Sequence, residues 1–276
     1  MRSGAQVPEA WSAQLSLARR PAARHVAARM TDVLDPQLVL GAYSVGVFPM
    51  ADAREAVSVY WVEPRRRAIL PLDGFRLSRS LRKTIAADRF RVTADHAFAE
   101  IIRLCAESVP GRPETWINPG IERAFLTLHA MGFAHSIECW DGERLVGGLY
   151  GLALGRAFFG ESMVSRARDA SKVALAWLVA RLKAGGFELL DCQFQTDHLA
   201  SLGAVEISRA DYVALLGAAL AGAVGAGAGT AASGRGAGDF FALERAGAPG
   251  PDDASTTVVS GPVAGKDIAQ LLVQTS

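Results

Sequence analysis

The sequence has few of the features that mark metal sites, secreted proteins and membrane proteins. Only three cysteines occur, Cys105, Cys139 and Cys192, and no C-x-x-C pair is present. Neither a zinc site nor a disulfide framework is therefore predicted, and such cysteine usage is typical of a reducing compartment. No apolar run reaches the ~20 residues that a membrane span needs. We expect a cytoplasmic protein without a metal, a cofactor or a membrane anchor.

The total net charge does not indicate a binding partner, because 29 basic and 28 acidic residues give a net charge of only +1. Its distribution is uneven: nine basic and three acidic residues between Glu63 and Arg91 give this segment a balance of +6. A surface of that sign binds phosphates by releasing their counterions. The alternative is a solvated basic face without a partner. The candidates for phosphate contacts are Arg76, Arg79, Arg82 and Lys83.

The order of predicted elements indicates an α/β (α+β) fold with a mixed sheet flanked by helices. A small N-terminal domain is expected over 31–70 and the main domain over 71–216. Three apolar runs over 134–163 form a meander, in which Asp141-Gly142 is a strong hairpin signal. The last of these runs, a helix and the strand near 187–194 then form a β-α-β unit.

Both ends of the chain have unusual compositions. Residues 1–30 are rich in arginine and lack the apolar core of a secretory signal. We expect a disordered extension there, with a start at Met30 as the alternative. From residue 217 to 276 Ala and Gly dominate, so the segment buries too little surface to offset its ordering entropy. It is predicted to be mostly a flexible tail, with a short helix at Ile268–Val273.

Two carboxylates stand at the ends of the strands in the β-α-β unit, Glu161 and Asp191. Alternation along a strand places Asp191 and Gln193 on one face and makes Glu161 and Met163 same-face neighbours. Ligands of open α/β sheets bind beyond the carboxyl ends of strands, and a carboxylate with a raised pKa there can act as a base. The alternative is that both only pair with arginines of the loop 165–171.

The remaining candidates are aromatic residues and a loop. Trp61 and Trp116 lie in proline-containing segments and can stack on bases; the alternative is two core tryptophans. The histidines form no ligand set, and no Ser-His-Asp order is present. The loop 165–171 precedes a helix, where acyltransferases bind acetyl-CoA, but it contains no glycine. It therefore argues against acetyl-CoA as the acyl donor.

A series of short motifs runs in one order along residues 31–216. They are Ala42-Tyr43 with Gly46–Pro49, Ser78–Leu81, Thr115-Trp116-Ile117, His129 through His135–Glu138, Leu145–Gly151, Gly160–Met163, Ala170-Ser171-Lys172, Asp191-Cys192-Gln193 and Ala200–Ala204. Together they resemble the leucyl/phenylalanyl-tRNA–protein transferase family. Two positions depart from its common pattern: Met50 and Val62 stand where many members have tryptophan.

The resemblance implies a small N-terminal domain followed by an acetyltransferase-like (GNAT) catalytic domain. The implied activity transfers Leu or Phe, and less readily Met, from aminoacyl-tRNA to the α-amine of proteins with N-terminal Arg or Lys. The products are marked for N-end-rule degradation. We expect a monomer. A CoA-dependent N-acyltransferase and a non-catalytic tRNA-binding protein are the alternatives.

The resemblance also implies roles for individual residues. Asp191 acts as base or proton relay with Gln193, and Glu161 contributes to the donor and acceptor site. Proton transfer through the ribose hydroxyl of the substrate is the alternative to a base. Trp116 stacks near the terminal adenosine. The other residues expected at the substrate are Met50, Trp61, Phe159, Ser162 and Met163.

Overall fold

The computed structural model describes residues 34–107, 115–221, 236–245 and 263–273. Its helices and strands lie between Pro36 and Leu271. The helices are α1 (Pro36–Ser44), α2 (Arg79–Ala86), α3 (Phe98–Ala106), α4 (Pro119–Ala130), α5 (Ala170–Ala184), α6 (Asp197–Ser201), α7 (Arg209–Leu220), α8 (Ala242–Arg245) and α9 (Gly265–Leu271). The strands are β1 (Phe48–Met50), β2 (Tyr60–Val62), β3 (Arg66–Ile69), β4 (Arg91–Ala94), β5 (Ala134–Asp141), β6 (Arg144–Leu154), β7 (Ala157–Ser165), β8 (Leu189–Gln193) and β9 (Val205–Ser208).

Seven strands form one mixed sheet in the order β4-β5-β6-β7-β8-β3-β9, and β1 pairs with β2 in a separate hairpin. Neighbouring strands are antiparallel except β7 and β8, which run parallel. Because α5 connects these two strands, the predicted β-α-β unit is present. The predicted fold class, a mixed sheet flanked by helices, is confirmed. Within the described ranges no helix is long and apolar enough to cross a membrane.

Helices cover both faces of the sheet. Phe158 and Leu190 belong to a core that includes residues of α2, α5 and α9. Phe159 and Leu189 belong to a second core, which includes residues of α1, α3, α4 and α7. Because successive residues of a strand point to opposite faces, these two cores are the two sides of the sheet. We call them the α5 face and the α3 face.

Strand β3 belongs to the large sheet, where it lies between β8 and β9. The sequence placed this segment inside the N-terminal unit that ends at residue 70. After the exposed Arg66, the next three residues are buried, as expected for a strand with neighbours on both sides. The segment that precedes the sheet therefore ends before Arg66 and consists of α1 and the β1–β2 hairpin.

Helix α7 continues to Leu220, so the predicted boundary at 217 lies inside a helix.

Parts of the C-terminal segment beyond α7 pack on the α5 face. Phe240 is buried and stacks on His135 with 4.2 Å between ring centroids. The predicted helix at Ile268–Val273 is α9, which begins at Gly265. A few apolar residues suffice to attach these stretches, despite the Ala/Gly-rich composition. Residues 1–30 and the rest of the tail lie outside the described residues.

Candidate active site

The predicted catalytic residues meet where β7 and β8 stop pairing. The parallel pairing ends at Phe159 and Asp191, two residues before Glu161 and Gln193. Across the gap, Nε2 of Gln193 donates a hydrogen bond of 2.8 Å to Oε1 of Glu161. The two side chains thus join the strands just beyond the end of their parallel pairing, although β7 itself continues to Ser165 along β6. Open α/β sheets bind ligands beyond such ends.

Glu161 is the extra residue of a β-bulge. Tyr150 of β6 pairs with Ser162, but the next residue, Gly151, pairs with Gly160, so Glu161 has no partner in the register. Bulges re-aim a side chain and are frequent beside active sites. The bulge turns the Glu161 carboxyl towards α1, where Tyr43 donates a hydrogen bond of 2.7 Å to Oε1.

The Glu161 carboxyl has one oxygen without a hydrogen-bond partner. Its residue is 2% exposed, and Oε2 meets no donor within the described part of the chain. Burial raises the pKa of Glu161 from 4.5 to about 7, against the opposing effect of hydrogen bonds from Tyr43 and Gln193. A carboxyl with a pKa near neutrality and a free oxygen is suited to exchange a proton with a substrate.

Asp191 is fully buried, and its carboxylate is saturated with donors. Arg67 donates from Nε to both oxygens (2.9 and 3.1 Å) and from Nη2 to Oδ2 (2.6 Å). Tyr212 donates its hydroxyl to Oδ2 at 2.7 Å. The backbone N–H of Gln193 donates to Oδ1 at 2.8 Å. These bonds occupy the acceptor positions that a carboxylate offers.

The guanidinium of Arg67 is enclosed between two aromatic rings. It lies 4.6 Å from the ring centroid of Phe48 on one side and 4.6 Å from that of Tyr212 on the other. Its Nη1 donates to the carbonyl of Gly46 at 3.1 Å. A buried charge of this kind is stable only when it is paired and hydrogen-bonded, so Arg67 and Asp191 depend on each other.

Gln193 adopts a backbone conformation that is rare for its residue type. Its φ is 60°, in the left-handed region, which few non-glycine residues visit. The bond from its N–H to Asp191 holds it there. Backbone strain of this kind persists only where surrounding contacts enforce it, and it is concentrated at functional sites. The strain aims the Gln193 amide at Glu161.

Comparison with known proteins identifies the family. A family model described as leucyl/phenylalanyl-tRNA protein transferase matches residues 69–217, and the model of that family's N-terminal domain matches 32–65. The chain belongs to the leucyl/phenylalanyl-tRNA protein transferase family. The resemblance drawn from the motifs is confirmed, and the chain is an aminoacyltransferase. The model of the N-terminal domain ends directly before β3, and the other model begins at Ile69, the last residue of that strand.

Individual relatives cover most of the chain. The leucyl/phenylalanyl-tRNA–protein transferase of Rhizorhabdus wittichii is 65% identical over 249 residues, which span 88% of this chain and 99% of the relative. That of Zymomonas mobilis is 63% identical over 191 residues, 69% of this chain and 71% of the relative. Among solved structures, L-PGS from Bacillus licheniformis matches with a TM-score of 0.35 and 12% identity, over 60% of this chain and 54% of that one. At that score the likeness carries no argument.

Five of the enzyme's six predicted substrate-binding residues fall into two groups. Phe159 and Ser162 are buried in β7 beside Glu161. Met50, Trp61 and Trp116 are partly exposed and pack against the core of the α3 face. Pro49 pairs with Trp61 across the hairpin, and Ala51 N–H donates to the carbonyl of Trp116 at 3.1 Å. The N-terminal hairpin and the loop of Trp116 thus form one partly exposed apolar group.

Met163 lies elsewhere. It packs in the core of the α5 face, whereas Phe159 packs in that of the α3 face. The two are four positions apart in the sequence, so regular alternation would place both on one side. The bulge at Glu161 adds one residue and reverses the alternation beyond it. The prediction that Glu161 and Met163 share a face is therefore wrong.

Sequence reasoning missed four residues of the site. Tyr43, Arg67 and Tyr212 donate to the two carboxylates, and the buried hydroxyl of Tyr150 has no partner among the described residues. Tyr43 belongs to a motif that carried the family resemblance, but no role was assigned to it. For Arg67 the available signal was its place as the last of three consecutive arginines, directly before the apolar run Ala68–Leu70.

Several cations of the basic segment between Glu63 and Arg91 form ion pairs with carboxylates of the same chain. Arg67 is buried against Asp191, Arg66 pairs with Glu206, and Arg89 pairs with Asp141. The four predicted phosphate contacts are different, because none of them pairs with a carboxylate in the described parts of the chain. Three of them, Arg79, Arg82 and Lys83, line an open groove of about 670 Å³ beside α2.

Proposed function

We propose that this enzyme transfers Leu or Phe, and less readily Met, from aminoacyl-tRNA to the α-amine of proteins with N-terminal Arg or Lys. The products would enter N-end-rule degradation in the cytoplasm. Family membership supports the tRNA-to-protein transfer. The observation that carries the chemistry is the buried Glu161 carboxyl, with a pKa of about 7 and one oxygen that accepts no hydrogen bond from the described residues.

The reaction needs positioning and proton transfer more than activation. The α-amine attacks the carbonyl carbon of the ester between the amino acid and the tRNA ribose. A C–N bond forms, the C–O bond breaks, the amine gives up a proton and the ribose oxygen takes one. Because the ester is already activated, holding amine and ester together contributes several kcal/mol. This chemistry requires no cofactor.

In this proposal Glu161 accepts the proton of the attacking amine at Oε2. Tyr43 and Gln193 both donate to Oε1, so they hold the carboxyl while leaving its second oxygen for the substrate. A general base works best when its pKa lies near the working pH. An ionised Glu161 also attracts the cationic side chain of an N-terminal Arg or Lys.

Asp191 then acts on the reaction through Gln193. Its carboxylate holds the strained backbone of Gln193, whose amide orients Glu161. Asp191 is the counter-charge of the buried Arg67, and breaking such a pair by removing one partner costs about 3–5 kcal/mol. The contacts therefore support a positioning role within the predicted Asp191–Gln193 relay. Asp191 as the base itself stays a prediction, as does proton transfer through the ribose hydroxyl.

The donor's terminal adenosine is proposed to stack on the partly exposed Trp116 and Trp61, with Met50 beside them. Aromatic stacking on a base is worth about 1–3 kcal/mol. Phe159 and Ser162 are proposed to border the aminoacyl group next to Glu161. Met163 is not part of this set, because it packs on the other side of the sheet. The GNAT-like assignment and the monomeric state also stay predictions.

The test is transfer of labelled Leu, Phe and Met from their tRNAs to peptides that begin with Arg, Lys or Ala. We expect incorporation into the Arg and Lys peptides only, with Met the weakest donor. Glu161→Gln should lose activity, whereas Glu143→Gln, a change in an exposed turn, should retain it. Failure of the folded wild type to label any peptide would contradict the proposal.

Two alternative functions predict different results for the same wild-type and variant proteins. A CoA-dependent N-acyltransferase would bind acetyl-CoA with micromolar affinity in calorimetry. A non-catalytic tRNA-binding protein would label no peptide and would bind tRNA equally well with Asp191→Ala. The transferase predicts no measurable binding of acetyl-CoA, and for Asp191→Ala a loss of turnover with tRNA binding retained.

A further inference from the structure

The C-terminal helix α9 is fixed against α2. Ile268, Ala269 and Leu272 are buried in the core of the α5 face. The backbone N–H of Gly265 donates to Oδ1 of Asp88 at 2.7 Å. A Cβ at Gly265 would lie only 1.9 Å from the carbonyl oxygen of Ile85, so glycine is needed for this approach. The position of α9 is therefore specified by side-chain packing and by a hydrogen bond.

The two helices enclose the open groove of about 670 Å³. Three cations from α2 and one from α9 line it, together with four uncharged residues: Arg79, Arg82, Lys83, Lys266, Ala86, Ala269, Gln270 and Val273. No carboxylate is among the lining residues. In the portions of the chain that the structure covers, none of the four cations pairs with an acidic side chain. A concave surface with uncompensated positive charge attracts polyanions.

The groove is connected to the site by a short piece of chain. Strand β3 carries Arg67 at the site and ends at Ile69, and α2 begins at Arg79. The groove lies on the α5 face, whereas Glu161 contacts Tyr43 of the α3 face. A substrate that contacts both must be long, and the basic lining of the groove favours an anion; tRNA meets both conditions. The family model ends at residue 217, so α9 and its lysine lie beyond the part that the model describes.

We propose that α9 is an accessory tRNA-binding element, whose Lys266 joins Arg79, Arg82 and Lys83 in gripping the phosphate backbone of the donor tRNA. This inference rests on the proposed function, because it takes aminoacyl-tRNA as the substrate. The groove contacts phosphates and reads no base sequence, as expected for contacts that set register and orientation. It adds affinity for the tRNA body and takes no part in the chemistry at Glu161.

The first test measures tRNA binding as a function of salt for the wild type, Lys266→Ala and Arg103→Ala. Arg103 is exposed on α3, outside the groove and on the same face of the sheet as Glu161, and it pairs with Glu107. It therefore controls for the loss of one positive charge that does not line the groove. One lost phosphate contact lowers the slope of log affinity against log salt by about 0.9 and weakens binding about five-fold at 0.15 M salt. We expect this for Lys266→Ala and wild-type behaviour for Arg103→Ala.

The second test compares transfer from Leu-tRNA with transfer from leucyl-adenosine, a donor without the tRNA body. In Lys266→Ala the ratio of kcat/KM for the two donors should fall about five-fold. If the wild type transfers Leu but Lys266→Ala matches Arg103→Ala in ratio and slope, the role of α9 is overturned and the proposed function stands. If the wild type uses neither donor, the proposed function fails, and an unchanged salt slope in Lys266→Ala overturns the role of α9 as well.

Discussion

Replacing Glu161 by Gln tests the central feature of the site, a buried carboxyl whose pKa burial raises from 4.5 to about 7. The folded protein keeps this proton to a higher pH than the unfolded chain does. Wild-type stability therefore falls as the pH rises from about 4.5 through 7, and the Gln variant lacks this fall. At about 1.4 kcal/mol per pKa unit, the full interval amounts to about 3 kcal/mol.

The assay is urea denaturation of the wild type, Glu161→Gln and Glu143→Gln between pH 5 and pH 8. The free energy of unfolding of Glu161→Gln, taken relative to the wild type, should rise by about 2–3 kcal/mol across this range. Glu143→Gln removes an exposed carboxyl from the β5–β6 turn and should follow the wild type. If the curves of Glu161→Gln and the wild type stay parallel, the carboxyl is not held neutral by burial, and its role as a base near neutral pH loses its support.

The other predictions concern turnover and the ion pair behind Gln193. With an Arg peptide as acceptor, wild-type kcat/KM should show a step near pH 7 below the rise that comes from the acceptor's α-amine, whose pKa is about 7.7–8.0. Glu161→Gln should lose the step near pH 7 together with about 10²–10⁴ in rate; a retained step near pH 7 would point to another base. Tyr212→Phe removes one hydrogen bond to Asp191 and keeps the ring beside Arg67, so calorimetry should show a loss of about 1–3 kcal/mol, with lower kcat; unchanged kcat would contradict the positioning role of Asp191. Asp191→Asn should cost about 3–5 kcal/mol in urea denaturation, because Arg67 loses its counter-charge; a loss below about 1 kcal/mol would mean that the pair is solvated.

The sequence was sufficient to predict that Glu161 and Asp191 lie on neighbouring parallel strands. The two apolar runs with one helix between them specify a parallel pair, although β7 continues past Glu161 to Ser165. Because the connection is a β-α-β unit, no long-range information was needed for this step. The direct bond between Gln193 and Glu161 follows from that geometry.

The residues that support the carboxylates could not be predicted in this way. Arg67 and Asp191 are 124 positions apart, and their pairing depends on β3 inserting beside β8, which local patterns do not encode. The side of the sheet on which Met163 lies depends on a single inserted residue, the bulge at Glu161. Strand periodicity assumes regular alternation, so it assigned Met163 to the wrong side.

The contacts around Arg67 have a consequence for separating the two family domains into fragments. Phe48 and Gly46 precede the boundary between the two family models, whereas Arg67, Asp191 and Tyr212 follow it or lie beside it. A fragment that begins at β3 would expose one flank of the guanidinium to water and would remove the carbonyl that binds it. We therefore expect the second family domain, expressed alone, to lack part of the environment that stabilises the buried Arg67 charge, because Gly46 and Phe48 supply it from the N-terminal segment.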